Sequence, residues 1–359
     1  MSTITMPKQM LTPRGLFWLK LDIVSYFGND KILFEQLDEF FDANIDEWKA
    51  KFMDTEWILK NTDEPKLFQV AVYNYIMHEN GLPVSGLKYV DCSNQALQLY
   101  AILTGDLSTA RVCNIGDVPH QRIDGYQILA DKLNNLIGEE DVLLREHTKK
   151  PLMTTLYGKQ SAWDVLVPIL EKHFGSEVDT TELSKLFEDA LYSIAPKAME
   201  AMAKIQMLNS EHIPIYRWTL PDGFNVKYDV KSENEITAER TSKAGHRFHY
   251  TGFVTEYKPS KYNAGMAPNL IHSIDGYIAR RIILGLDFFV HTIHDAYGCH
   301  YNQVDELIGL WKDIMCEILD SELLYEIMEQ IADGRKYKHI KKYKTLLREH
   351  ILNSIYGLC

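Results

Sequence analysis

Cysteine is scarce and poorly arranged for chemistry. Only five occur in 359 residues (Cys92, Cys113, Cys299, Cys316 and Cys359), an odd number with no C-x-x-C pair, which excludes a zinc ribbon or disulfide framework and fits a reducing compartment. Long apolar runs are lacking too. No stretch reaches about 18 uncharged apolar residues, and the opening M-S-T-I-T-M-P-K-Q-M has neither the apolar core nor the cleavage site of a signal peptide. The expectation is a soluble intracellular protein with no membrane partner. Positive charge is in deficit, 38 Lys plus Arg against 50 Asp plus Glu, for a net charge of −12. Taken over the whole chain this argues against a nucleic-acid binder, although contact is decided by the sign of the touching face.

What is present suits a large packed core. Hydrophobic residues make up 46% of the chain, and the length suggests about two domains. Leu16, Leu19, Ile23 and Phe27, then Phe34, Leu37, Phe40, Phe41, Ile45 and Trp48, recur at helical spacing. A helix over 68–77 is followed by a short strand, Leu87 to Val90, and helical patterning then dominates to about Met207. A hairpin is predicted from Ile213–Thr219 and Phe224–Val230 around Pro221-Asp222-Gly223, with another strand at Arg247–Thr255. A long helix from about Pro268 to Leu284, strands Phe288–Ile293 and Tyr297–Tyr301 joined at His294-Asp295-Ala296, and two or three amphipathic helices complete the chain. The fold class is α+β, mainly helical, with a small antiparallel sheet.

Two aspartates stand at strand ends, Asp91 after the first strand and Asp295 in the later turn. A pair of such carboxylates can hold two Mg²⁺ ions for phosphoryl transfer; the plainer alternative is a helix cap and a turn residue. The segment L-L-R-E-H-T-K-K-P-L-M-T-T-L-Y-G bears on the choice. Its Arg145, Lys149, Met153 and Tyr157 fall four apart, which on a helix makes one slowly winding stripe about 18 Å long. The cations suit phosphates, and the soft and flat side chains suit sugar and base. Pro151 favours a break, which would start the helix near Lys150 and leave Arg145 and Lys149 on its approach.

In order and spacing these segments resemble the single-chain RNA polymerases of bacteriophages and mitochondria. D-C-S-N-Q-A-L-Q (Asp91–Gln98) is similar to the family's first palm motif, R-x-x-x-K-x-x-x-M-x-x-x-Y-G to its fingers helix, and I-H-D-A-Y-G (Ile293–Gly298) to the motif with the other metal aspartate. A-P-N-L-I-H-S-I-D-G (Ala267–Gly276) matches a helix whose histidine faces the nascent pair. The resemblance implies a right-hand palm with helical fingers. Asp91, the backbone carbonyl of Cys92 and Asp295 would hold two Mg²⁺; Lys149 would act with the aspartates in catalysis. Arg145, Lys149, Met153, Tyr157 and His272 would bind the nucleotide. Ala96 stands where related DNA polymerases carry a glutamate that blocks the ribose 2′-OH, so Ala96, Tyr157 and His272 are expected to select ribose.

Gly158, His294 and the basic run Arg335–Lys344, notably Lys338, Lys341 and Lys342, are expected to contact nucleic acid, the run having six positive charges and no acids. Expected boundaries are 1–110 for N-terminal helices and first palm segment, 111–255 for fingers and 256–359 for second palm segment and closing helices. The family's N-terminal domain, thumb and D-x-x-G-R stretch find no match. The resemblance therefore implies the larger chain of a two-chain phage polymerase, whose partner supplies the thumb and missing arginine. The other partners implied are DNA template, nascent RNA, NTPs and an accessory DNA-binding factor, in the cytoplasm of an infected host. A DNA polymerase or primase, or a non-catalytic assembly subunit derived from one, is the alternative.

Overall fold

The helical spacing of the first 80 residues is realised as four helices, α1 (Pro13–Phe27), α2 (Leu37–Lys51), α3 (Thr55–Asn61) and α4 (Pro65–Glu79). In this computed structural model the described residues are 8–116, 121–159, 161–208, 213, 215–230, 232–256, 265–332 and 344–359. Thr12 begins α1, its hydroxyl accepting from the Gly15 N–H with Pro13 at the first helical position, a strong start signal. Inside the four helices Trp48, Phe41 and Phe68 are fully buried, and Trp48 meets Phe68 edge-on at 5.8 Å.

Strand β1 (Lys88–Asp91) then leads into α5 (Gln95–Thr104) and α6 (Leu107–Val112). Every residue of α5 is buried, so it is an apolar spine rather than an amphipathic surface helix. Of the helices that follow, α7 (Gly125–Ile137), α8 (Arg145–Leu156), α9 (Val167–Phe174), α10 (Thr180–Ile194) and α11 (Pro196–Gln206), α8 and α11 pack on it, and α7 and α10 pack in turn on α8 and α11. Helix α8 departs from expectation by starting at Arg145 and carrying Pro151 within it. One local and one tertiary bond hold its first turn despite the lost donor: His147 Nδ1 accepts from the Leu144 N–H at 3.0 Å, and the Thr148 hydroxyl donates to the Tyr126 carbonyl at 2.7 Å.

The predicted hairpin is present as β2 (Ile215–Thr219) and β3 (Asn225–Asp229). Strand β5 (Arg247–Glu256) pairs with β4 (Ser232–Thr241), which the sequence reading missed. The β4 segment S-E-N-E-I-T-A-E-R-T has no apolar alternation, and over 236–241 it buries no face; Ile236, Phe248 and Tyr250 are all exposed. Helix α12 (Met266–Gly285) follows, then β6 (His291–Ile293) and β7 (Ala296–Cys299), both shorter than expected, and finally α13 (Val304–Asp320), α14 (Leu323–Ile331) and α15 (Lys344–Asn353). Among the described residues no helix is long and apolar enough to cross a membrane.

The sheet that matters is the antiparallel β1-β7-β6. Register places Lys88 opposite Cys299, Tyr89 opposite Gly298 and Asp91 opposite Ala296. Strand alternation then divides β1 into a buried face, Lys88 and Val90, and an open face, Tyr89 and Asp91. On the buried side Lys88 Nζ donates to Asp22 Oδ1 at 2.9 Å, an ion pair closed off from solvent. On the open side Tyr89 reaches across Gly298 to His291, hydroxyl to Nδ1 at 2.7 Å. Gly298 is needed there, since a Cβ would lie 2.7 Å from the Tyr89 ring.

Candidate active site

Two carboxylates meet at the end of this sheet. Asp91 closes β1 opposite Ala296, and Asp295 immediately precedes Ala296 in the two-residue turn between β6 and β7. His294 takes the first turn position at φ 54°, the left-handed conformation that primed hairpin turns require. Asp91 is not a helix cap; that role belongs to Asn94, whose side chain accepts from the Leu97 N–H. Residues 357–359 line the other edge. The Asp91 N–H donates to the Cys359 carbonyl at 3.0 Å, the Cys359 N–H returns to Asp91 at 3.2 Å, and the Ser93 N–H reaches Gly357 at 3.3 Å. Cys92 lies between these bonds, bridged to Leu358, so ladder alternation turns its carbonyl away, towards the Asp295 side.

Electrostatics confirm the crowding. Burial, then the charge of Asp295, pushes the Asp91 carboxyl up to about 6, against a smaller opposing pull from Lys149. Burial also raises Asp295, with His294 and His272 working the other way. A third acid joins them. Asp275, on α12 one turn beyond His272, is pushed up to about 7 by burial and by Asp295, and it accepts a hydrogen bond from Gln95 Nε2. Acids held this reluctantly ionised are sites where a cation lowers the energy. Among the described residues no group of three or more His, Cys, Asp or Glu is arranged as a complete metal cage. Two carboxylates and a carbonyl suit a hard cation that keeps waters and takes substrate oxygens.

Two residues of the predicted stripe, Lys149 and Tyr157, lie within electrostatic reach of the acids. Lys149 is exposed and makes no ion pair among the described residues, while its charge reaches Asp91. Arg145 already has protein partners: its Nε is bonded to Asp124 and its guanidinium lies 5.4 Å from the Tyr126 ring centre. Met153 is exposed. Tyr157 caps the helix and lies 4.8 Å from the His272 ring, tilted by 45°. Burial pushes the Tyr157 phenol up to about 12 and lowers His272, which the charge of His294 lowers further. Gly158 follows at φ 85°. Ala96 is buried at the start of α5.

Between α7, α8 and the loop after α1 is a cavity of about 200 Å³ lined by Lys31, Asn94, Arg122, Asp124, Tyr126 and Arg145. Asp124, Tyr126, Gln95 and Asp275 were missed from sequence. Asp275 had a signal, three residues after His272 on one helix face; nothing in the spacing joined Asp124 to Arg145. Lys338, Lys341 and Lys342 lie outside the described residues.

Comparison with known proteins agrees with this geometry. The family model for DNA-dependent RNA polymerase matches residues 9–165 and 177–355. The DNA-directed RNA polymerase of Enterobacteria phage K11 is 23% identical across 94% of this chain and 46% of its own length. T7 RNA polymerase of Escherichia phage T7 is 21% identical across 94% and 47%. The mitochondrial DNA-directed RNA polymerase of Schizosaccharomyces pombe is 23% identical across 97% and 34%. The chain thus spans about half the length, or less, of these relatives. With most of its residues matched by the family model and both aspartates at the sheet end, the chain belongs to the DNA-dependent RNA polymerase family of phages and mitochondria.

Proposed function

We propose that this chain carries the catalytic centre of a DNA-directed RNA polymerase, joining nucleoside triphosphates to an RNA 3′-OH on a DNA template. The observation that carries the reading is the β1–β7 register, which sets Asp91 beside the turn that holds Asp295, within reach of the Lys149 charge. In right-hand terms, residues 1–110 would supply N-terminal helices and the first palm segment, 111–255 the fingers, and 256–359 the second palm segment and the C-terminal helices. Asp91, Asp295 and the Cys92 carbonyl would hold Mg²⁺, which when bound supplies Lewis-acid activation and charge neutralisation.

The remaining work falls to side chains. Lys149 offers a mobile point charge to the β- and γ-phosphates and a proton to the departing pyrophosphate. Arg145 adds a planar fork to the same phosphates. Met153 supports the sugar and base. Tyr157 and His272, ring against ring, present hydrogen-bonding groups to the ribose 2′-OH, with only the Ala96 methyl where a carboxylate would exclude it. Gly158, His294, Lys338, Lys341 and Lys342 contact nucleic acid. A companion polypeptide supplying a thumb and a template-binding arginine, an accessory DNA-binding factor for promoters, and action in the infected host's cytoplasm belong to the same proposal.

The test is extension of an RNA primer on a DNA template with Mg²⁺ and NTPs, using the chain alone and with the proteins it captures. Extension should need the captured proteins, prefer ribonucleotides, and fall by roughly 10³-fold or more in Asp295→Asn. Robust extension by the pure chain would remove the companion from the scheme. Near-normal extension by Asp295→Asn would overturn the site, and preference for deoxynucleotides would make the enzyme a DNA polymerase or primase.

A further inference from the structure

The carboxylate that holds Arg145 divides its two oxygens between two tasks. Asp124 Oδ1 accepts the backbone N–H groups of Tyr126 and Gln127 at 3.0 and 3.3 Å, capping α7. Asp124 Oδ2 accepts from Arg145 Nε and from Lys31 Nζ, the latter at 3.1 Å. A cap needs only the first oxygen. The second brings together two cations from separate elements, at the wall of a cavity that opens beside Asn94 at the start of α5.

We propose that Asp124 is an internal stand-in for phosphate: in the unliganded protein it occupies Arg145 and Lys31, and a triphosphate must displace it to reach Arg145. This rests on the reading of Arg145 as a triphosphate ligand. The guanidinium is tethered through its Nε, which is committed to Asp124, and its carbon lies 5.4 Å from the Tyr126 ring centre. Lys149, one turn along the same helix, has no such partner among the described residues. The contrast assigns the two cations different roles: Lys149 is ready, whereas Arg145 is released only by a competing anion. Burial works to raise the Asp124 carboxyl, yet hydrogen bonds from Arg145 and Lys31 outweigh it and hold the group below its usual range. It is therefore an anion at neutral pH. The pair is also partly open to solvent, 38% on the arginine and 24% on the aspartate, so exchange is sterically available and its cost modest. Asp124 acts through Arg145 and is a positioning residue.

The two-oxygen division supplies a clean variant. Asp124→Asn keeps an amide oxygen for the α7 cap but replaces the second acceptor with an N–H₂ donor facing two cations. Titration calorimetry with inorganic tripolyphosphate should show the variant binding roughly three- to tenfold more tightly than the unmodified chain. In RNA extension its KM for NTP should fall by a similar factor without a rise in kcat. Asp124→Ser, another good cap too short to reach both cations, should move the same way. Asp131→Asn, two turns further along α7 and with the same change in charge, should behave like the unmodified protein.

Unchanged or weaker tripolyphosphate binding by both Asp124 variants overturns the proposal, as does equal tightening by Asp131→Asn. If the unmodified chain extends RNA while the Asp124 variants bind tripolyphosphate no better, the latch fails and the polymerase reading stands. If the unmodified chain neither binds tripolyphosphate nor supports extension in any mixture, both fail together.

Discussion

Tyr157 shows how one hydroxyl can be singled out. Its ring lies against His272 at 4.8 Å, no hydrogen bond of its hydroxyl is found among the described residues, and the proposed function gives that hydroxyl to the ribose. Tyr157→Phe should therefore leave thermal stability within about 0.5 kcal/mol while narrowing the preference for ribonucleotides over deoxynucleotides by roughly tenfold; a competition assay reads the ratio. Asp275 carries a different consequence. Its carboxyl titrates near 3.8 when unfolded but holds its proton to about 7 in the folded protein. Below pH ~4 both states are protonated; as pH rises towards 7 the unfolded chain releases a proton that the native chain retains, so stability declines across that window. Urea midpoints of the metal-free protein should fall from pH 4 to 7. Asp275→Asn, which still accepts from Gln95, should flatten the fall.

At the scale of elements, the placement of Asp91 depends on the hidden side of β1. Lys88 and Asp22 are 8% and 2% exposed, and removing one partner strands the other charge. Lys88→Met should cost about 3–5 kcal/mol, seen as a lower urea midpoint. Most elements could be read from the sequence where one face is buried: α1, α2 and α12 have unbroken helical spacing, and the β2–β3 hairpin has Pro-Asp-Gly at its turn. Strand β4 could not, because an exposed ribbon leaves no apolar imprint. The break expected at Pro151 failed for a similar reason, since the bonds holding the start of α8 come from Tyr126 and the local His147 side chain. In the site, the four-residue stripe and both aspartates were legible. The Asp124–Arg145 contact was not: local patterning carries no information about which surface helices meet.

For the molecule as a whole, acidity and the proposed binding of nucleic acid are compatible because the charges are segregated. The net −12 includes Asp91, Asp275 and Asp295, gathered at one sheet end, while Lys31, Arg122 and Arg145 line a neighbouring cavity. Template binding should thus rest on few cations. Each phosphate contact adds about 0.7–0.9 to the slope of log affinity against log salt. Replacing Lys338, Lys341 and Lys342 by alanine should lower that slope by about two to three, measured by fluorescence anisotropy with a labelled template, and an unchanged slope would remove the run from the interface.

The Tyr89–His291 hydrogen bond joins residues 202 positions apart in sequence, and Asp91 at the end of β1 meets Asp295 in the β6–β7 turn across the same gap in the chain. Closing so long a loop costs on the order of 5 kcal/mol of chain entropy before any contact between those strands repays it. The helices, built from local contacts, can form without that closure. Refolding should accordingly be staged, with the far-UV helical signal returning first and amide protection at Asp91 and Tyr297 last. The chemistry would then be switched on by the final event of folding, leaving partly folded chains unable to act on nucleotides.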